Sequence, residues 1–234
     1  MLLICPVRPG DTNEELRYAA RSWEQNLALD RGLTLMTVGH HPDWLEPDLH
    51  VSGNHYKSVM FAVFDNVVRG STAALEQFGN DQVLWMNDDF FCLDPVGAVL
   101  PVRRNVTLAA HIEQFPPKAG LWWPRSLALT ASWLEGKGFS NPLSYEVHRP
   151  LVGRPAAMLS ALEQWDGGMK DTIPQWRTMY GVLNSIEAHP VVDAKLGPKS
   201  HGVGTPWVST SDQSWRRYAV DLRRRFQKPS RWEK

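Results

Sequence analysis

An apolar run, Val83-Leu84-Trp85-Met86, ends abruptly in Asn87-Asp88-Asp89, and Phe90-Phe91 follow at once. Two carboxylates and an amide at the C-terminal end of a buried strand are costly to desolvate unless something neutralises them. A hard divalent cation does so, and oxygen ligands of this kind suit Mg²⁺ or Mn²⁺. Such a cation commonly carries a diphosphate, so the pattern points to a metal-assisted nucleotide site with a nucleotide-sugar as first candidate. Asn and Asp also end strands because their side chains close turns locally. From these three residues alone that second reading stands beside the first.

The elements that must position this acidic end read as an α/β protein. Leu2–Val7 is short and apolar and breaks at Pro9-Gly10, as a buried strand entering a loop does. Thr12-x-x-Glu15 has the form of a capping box and opens a predicted helix to about Asn26, with Leu16, Ala19, Ala20, Trp23 and Leu27 on one face. Asp30-Arg31-Gly32 turns the chain into a second predicted strand, Leu33–Val38, and a helical pattern covers roughly Lys57 to Gln77. Strand, helix, strand with short connections predicts a mainly parallel sheet. Ligands of open α/β sheets gather beyond the carboxyl ends of the strands. The loop after Val7, the loop after Val38 and Asn87-Asp88-Asp89 are expected to converge there. Further along, the pattern predicts a strand over Val106–Ile112, a helix over Ser126–Glu135 and a strand over Ser144–His148. Helices are expected over Pro155–Gln164, Pro174–Glu187 and Gln213–Phe226, with a loop at Lys199–Thr205.

With 43% hydrophobic and 21% charged residues, the chain of 234 residues has the composition of an ordinary soluble globule. No stretch reaches the ~20 apolar residues that cross a bilayer, and the opening residues read as a strand, not a signal peptide. Cys5 and Cys92 lie far apart without metal-ligand spacing, the usage of reduced thiols. Together these predict a cytoplasmic protein with no membrane partner. The formal net charge is zero but unevenly spread: from Gln213 onward eight basic residues face two acidic ones, giving +6, so the remainder carries −6. A basic C-terminal helix suits a phosphate partner, or is simply a solvated helix face. Eleven tryptophans are many for this length. Aromatic planes stack on sugars and bases, although most tryptophans fill cores.

The chain has no phosphate-binding loop with Gly-Lys-Ser/Thr, no dinucleotide glycine fingerprint after the first strand, no Gly-x-Ser-x-Gly elbow and no paired-cysteine zinc site. A family resemblance is visible instead. Glu14-Glu15-Leu16-Arg17-Tyr18-Ala19-Ala20-Arg21-Ser22 is similar to the Asp-Glu-Leu-Arg-Tyr-Ser-Leu-Arg-Ser block of the Stealth proteins, sugar-1-phosphate transferases with a GT-A glycosyltransferase-like core. Pro42-Asp43-Trp44-Leu45 resembles their Pro-x-Trp-Leu segment, and Asn87-Asp88-Asp89-Phe90-Phe91 matches their Asn-Asp-Asp-Phe-Phe. Glu146-Val147-His148-Arg149-Pro150 resembles the region of their catalytic histidine. Gln175-Trp176-Arg177 falls where they place a helical arginine, and Ser211-Asp212 where they have Asn-Asp. Residues 226–233 resemble their closing Phe-Pro-x-x-Ser-x-Phe-Glu. The blocks occur in order over nearly the whole chain. One departs: the family's opening Trp-Val-Asp/Asn-Gly is replaced by the loop Cys5 to Asp11, which leaves donor identity open, and with it sugar or sugar-phosphate transfer.

The resemblance implies a GT-A-like (Rossmann-like) α/β fold in a single domain over residues 1–234. Residues 1–95 would form the nucleotide-sugar-binding half and 96–234 the acceptor and catalytic half. It further implies that Asp88 and Asp89 hold Mg²⁺ or Mn²⁺ on the diphosphate of the donor, a UDP-sugar for preference. Arg8, Arg17, Arg21, Asn87 and Asp212 would contact that donor, arginines doing so through bidentate phosphate contacts. His148 would deprotonate the acceptor hydroxyl, with Asp89 and Arg177 completing the catalytic group. Each residue also has a plainer reading: a surface ion pair for Arg17, a hydrogen-bonded structural histidine for His148, and a helix cap for Asp212.

The expected activity is therefore metal-dependent transfer of a sugar or sugar-1-phosphate from a nucleotide-sugar to a hydroxyl. The short chain resembles compact versions carried by bacteriophages, for which a hydroxymethylated base in DNA, a virion protein or a glycan is the implied acceptor. Two other classes stand beside this. A non-catalytic nucleic-acid-binding protein would use the arginine-rich C-terminal helix. A metal-dependent phosphoesterase would need more His and Asp ligands on strand ends than the sequence offers.

Overall fold

The structure is a computed structural model that describes residues 1–29, 32–53, 59–118, 121–167, 172–197 and 206–234. The expected loop at Lys199–Thr205, the turn at Asp30-Arg31 and the first residues of the Lys57 helix lie outside the described residues.

Its centre is a five-stranded sheet flanked on both faces by helices. β1 (Leu2–Val7) lies between β2 (Thr34–Gly39) and β4 (Val83–Trp85); β3 (Leu49–Ser52) forms one edge and β7 (Leu151–Gly153) the other. The pairs β1–β2, β1–β4 and β2–β3 are parallel, and only β7 runs antiparallel. Alternation along β1 divides the core. Leu3, Cys5 and Val7 face α1 (Glu14–Asn26), where Leu16, Ala19, Ala20 and Trp23 are buried with Phe226 and Trp232 of the C-terminal segment. Leu2 and Ile4 face the opposite side, against α2 (Val59–Phe78) and α5 (Pro155–Glu163). The central strands are apolar on both faces because helices cover both, as parallel sheets require.

Two small ladders stand apart from this sheet. β5 (Phe90–Cys92) pairs antiparallel with β9 (Trp207–Ser209), and β6 (Val102–Arg104) pairs parallel with β8 (His189–Val191). A satellite cluster of Leu108, Leu127, Leu134, Tyr145 and Val182 joins α3 (Leu108–Gln114), α4 (Trp122–Gly136) and α6 (Trp176–Leu183). The chain closes with α7 (Asp212–Arg225).

Several local expectations are corrected. Val106–Ile112 is not a strand: Thr107 accepts a hydrogen bond from the backbone N–H of Ala110 and starts α3, whose Leu108 and Ile112, four apart, join the satellite cluster. Ser144–His148 forms no strand, and the Val147 N–H folds back onto the Tyr145 carbonyl at 2.9 Å. Its Ser144 carbonyl accepts from Arg104 N–H, and its Ser144 N–H donates to Val106. The Thr12–Glu15 capping box does not form. α1 begins after Asn13 in left-handed conformation (φ 45°) without a side-chain cap. Glu15 is instead bonded to Thr210 Oγ1 at 2.6 Å and Arg8 at 2.9 Å, away from the helix end. The helix expected over Pro174–Glu187 is shorter, ending before Ser185 at φ 50°.

Among the described residues no helix is long and apolar enough to cross a membrane. Four of the eight basic residues of the tail form ion pairs within the fold. Arg223 pairs with Glu14 at 2.6 Å, Arg225 with Asp94 at 2.8 Å, Arg231 with Asp48 at 3.5 Å and Lys234 with Glu46 at 3.7 Å.

Candidate functional site

A cleft of about 1010 Å³ opens where the carboxyl ends of β1, β2 and β4 meet the second half of the chain. The loops after these strands reach it as Arg8, Gly39-His40 and Asn87-Asp88-Asp89, the convergence expected from a parallel sheet. Gly39 is required where it stands. At φ +105° its backbone disfavours L side chains, and a Cβ there would lie 2.5 Å from Asn66 Nδ2 and 2.7 Å from the Val7 carbonyl. The following N–H, of His40, donates to that same carbonyl at 3.0 Å, so β1 and β2 leave the sheet tied together.

The acidic end of β4 is densely bonded. Asp89 is buried, and its Oδ2 accepts from Lys195 Nζ at 2.7 Å and Ser209 Oγ at 2.8 Å. Lys195 is itself fixed by the Thr210 carbonyl and, at 3.3 Å, by Ser209. Asp88 pairs with Arg8, Nε to Oδ2 at 3.5 Å, and the Lys195 charge acts on it from farther away. Burial first, and then the neighbouring Asp89 charge, push the Asp88 carboxyl up to about 7. Burial likewise raises Glu15, whose own partners are Thr210 and Arg8. Arg8 also reaches Asp212 Oδ1 at 3.2 Å. Two cations, Arg8 and Lys195, thus face four carboxylates, Glu15, Asp88, Asp89 and Asp212.

The opposite wall carries a histidine held by a carboxylate. His148 Nδ1 lies 3.0 Å from both oxygens of Asp193, and its backbone N–H donates to Oδ1 at 2.8 Å. Arg104 pairs with the same Asp193 at 3.0 Å. Burial alone would raise the Asp193 carboxyl, but the His148 hydrogen bonds and the Arg104 charge hold it well below the usual carboxylate range. With Nδ1 bonded to Asp193, Nε2 is the ring nitrogen left for the cleft. Beside it Arg177 is buried, and burial lowers it to about 10 despite the opposing charge of Glu146. Its guanidinium donates to the Arg149 carbonyl at 2.9 Å, approaches Asn87 Oδ1 at 3.4 Å and lies 4.6 Å over the Trp176 ring. Glu146, raised by burial, accepts from Thr178 N–H and Oγ1 at 3.0 Å each.

The structure therefore brings Arg8, Asn87, Asp88, Asp89, His148, Arg177 and Asp212 to one cleft. Arg17 and Arg21, expected on the donor, lie elsewhere. Arg21 forms a two-pronged pair with Glu233, both contacts at 2.7 Å, and donates to the Phe226 carbonyl at 3.1 Å. Arg17 sits 4.5 Å over the Trp44 ring and 3.6 Å from Glu233. The Glu233 side-chain carboxylate takes both, so these arginines hold the tail. The helix-cap reading of Asp212 is also replaced: Ser211 caps α7 through Ser214.

Four residues of the cleft system escaped the sequence reading. Glu15 was assigned to a capping box. Glu146 was quoted only as a neighbour of His148, while Lys195 and Asp193 carry no motif that marks them. Their one signal is being charged and at least partly withdrawn from solvent, which only the fold reveals.

No protein-family model matches the chain, and no curated protein matches it. The resemblance to Stealth proteins rests on the blocks quoted above.

Among the described residues no group of three or more His, Cys, Asp or Glu side chains encloses a metal ion. A fuller cage is not needed for Mg²⁺ or Mn²⁺ on a diphosphate, where one or two carboxylates and the phosphate oxygens suffice. Among the described residues both side-chain hydrogen bonds to Asp89 fall on Oδ2, and the cation paired with Asp88, Arg8, stands 3.5 Å away. The surplus of acidic groups over Arg8 and Lys195 fits a divalent cation at Asp88 and Asp89 Oδ1.

Proposed function

We propose that this protein is a GT-A-like transferase that moves a sugar or sugar-1-phosphate from a nucleotide-sugar to an acceptor hydroxyl. The carrying observation is that Asp193-held His148 faces the same cleft as the acidic end of β4, although the two are sixty residues apart in the chain. A base and a diphosphate-binding end on facing walls are what hydroxyl transfer requires.

Asp88 and Asp89 would hold Mg²⁺ or Mn²⁺, which when bound neutralises charge on the leaving nucleotide phosphate. Arg8, at the mouth beside Asp88, and Arg177, buried under Asn87, supply fixed positive charge toward transferring phosphate oxygens. His148 Nε2 takes the proton of the acceptor hydroxyl as its oxygen attacks, and Asp193 keeps the ring oriented and stabilises the resulting imidazolium. Lys195 holds the Asp89 carboxylate in place.

The test is a thermal-shift panel of UDP-, GDP- and CDP-sugars with and without Mn²⁺. Selective stabilisation by one donor, dependent on Mn²⁺ and lost in Asp88→Ala, is expected. No shift with any donor overturns the proposal. With a donor in hand, Asp193→Asn is expected to lower kcat about 10²-fold with little change in donor KM. An equal loss in both would mean that Asp193 merely supports the fold.

A further inference from the structure

At one end of the cleft, between the start of α4 and the start of α6, stand Trp122, Trp123, Ile173, Gln175 and Trp176, none of which the transfer chemistry uses. Gln175 is 5% exposed, and among the described residues its Nε2 has no hydrogen-bond partner. A buried amide donor without a partner is costly, and in native proteins it calls for a water, an ion or a ligand. The segment that carries it is locked. Gln175 N–H donates to Thr130 Oγ1 at 2.9 Å, Thr130 Oγ1 donates to the Ser126 carbonyl at 2.8 Å, and Ser126 Oγ donates to the Ile173 carbonyl. This chain of bonds fixes the backbone from which the Gln175 side chain projects.

The aromatic groups around it are held in different ways. Trp123 packs edge-on against His111 and Phe115, with ring centres 5.4 Å away in each case. Trp176 is capped by the Arg177 guanidinium. Trp122 is 38% exposed, an unusual place for a large indole. Aromatic walls with a single convergent polar donor are the make-up of a site for a small ring that has an apolar face and hydroxyl or carbonyl acceptors.

We propose that this end of the cleft binds a neutral sugar ring of the acceptor, with Gln175 Nε2 donating to one of its oxygens and Trp122 covering an apolar face. The proposal deepens the transferase reading and rests on it for the word acceptor. A sugar is favoured over a DNA base by charge. Among the described residues that line this end the one cation is Arg177, which the transfer chemistry already uses, whereas nucleic acid draws its affinity from several phosphate contacts. Two of the five arginines of α7, Arg223 and Arg225, pair with Glu14 and Asp94.

The experiment is ligand-observed saturation-transfer NMR on the full chain. The probes are the methyl glycosides of glucose, galactose, mannose and N-acetylglucosamine, each with and without UDP and Mn²⁺, and a short oligothymidine is the control. At least one glycoside is expected to bind saturably and without salt dependence. Gln175→Leu, which keeps the side-chain volume, is expected to weaken it about tenfold, and Trp122→Ala by a similar factor. Absence of binding by all four glycosides, with the nucleotide-sugar thermal shift intact, overturns this subsite and leaves the transferase reading standing. Glycoside binding without any nucleotide-sugar response supports the sugar subsite and removes the transferase. Binding that survives both variants, or salt-sensitive oligothymidine binding lost in Trp122→Ala, also overturns the proposal.

Discussion

Asp88→Asn is expected to stabilise the metal-free protein, by an amount that grows with pH. The Asp88 carboxyl moves from its ordinary value of 3.8 to about 7 in the folded state, because burial and Asp89 both oppose its charge. An acid whose folded value is raised holds its proton more tightly when folded. Stability therefore falls as pH rises from about 4 to about 7 and is level above that. Three units at about 1.4 kcal/mol each give an upper value of roughly 4 kcal/mol at pH 8, against roughly 1.5 kcal/mol at pH 5. Asn cannot ionise and removes this contribution. The other carboxylates titrate in both proteins and largely cancel in the comparison. At roughly 2–4 °C per kcal/mol for a chain of this size, the Tm advantage of Asp88→Asn should widen by at most about 5–10 °C between pH 5 and pH 8. Differential scanning calorimetry of both proteins in EDTA measures it. Addition of Mn²⁺ at pH 8 should then raise the wild-type Tm and leave the variant nearly unmoved. A Tm difference that is constant or shrinks with pH would refute the electrostatic reasoning, and no Mn²⁺ response would remove Asp88 as a ligand.

Lys195→Met leaves Asp89 with Ser209 as its partner and should cost about 3 kcal/mol in urea unfolding. Adding Asp89→Asn to that variant should restore most of the loss, whereas additive losses would mean that the pair is not coupled. Gly39→Ala should cost about 2 kcal/mol or more, from the positive φ and the contacts with Asn66 and Val7. Gly32→Ala, with nothing within 4 Å, is the matched control and should be near neutral. Arg21→Met should lower stability by about 1–3 kcal/mol through Glu233 and leave any nucleotide-sugar thermal shift per unit of occupancy unchanged. Loss of that shift in a folded variant would return Arg21 to the donor site.

The parallel sheet was legible because β1, β2 and β4 are short apolar runs set between helical patterns, and such runs have few other uses in a chain of this length. The acidic end of β4 was legible for the same reason: charge that abruptly ends a buried strand is conspicuous. Arg17 and Arg21 were misplaced because helical spacing shows which residues share a face but not what that face meets. What it meets is Glu233, some two hundred residues later. Glu15 shows the reverse failure, since a local rule gave it a complete explanation while Thr210 and Arg8 had a stronger claim on its carboxylate. α3 was read as a strand because Val106 and Ile112 are β-branched, and the single hydroxyl of Thr107 outweighed that preference.

The β5–β9 ladder bears on how the protein comes to be made. It joins Phe90 to Ser209, and in doing so delivers Lys195, Ser209 and Thr210 to an aspartate laid down more than a hundred residues earlier. Closing so long a loop carries an entropic cost that local contacts cannot offset, so this pairing belongs to the late part of folding. Until it forms, Asp89 has no ammonium beside it. The molecule can have its sheet before it has its chemistry. A slow refolding phase seen by ligand binding but not by far-ultraviolet circular dichroism would be the signature of that last closure.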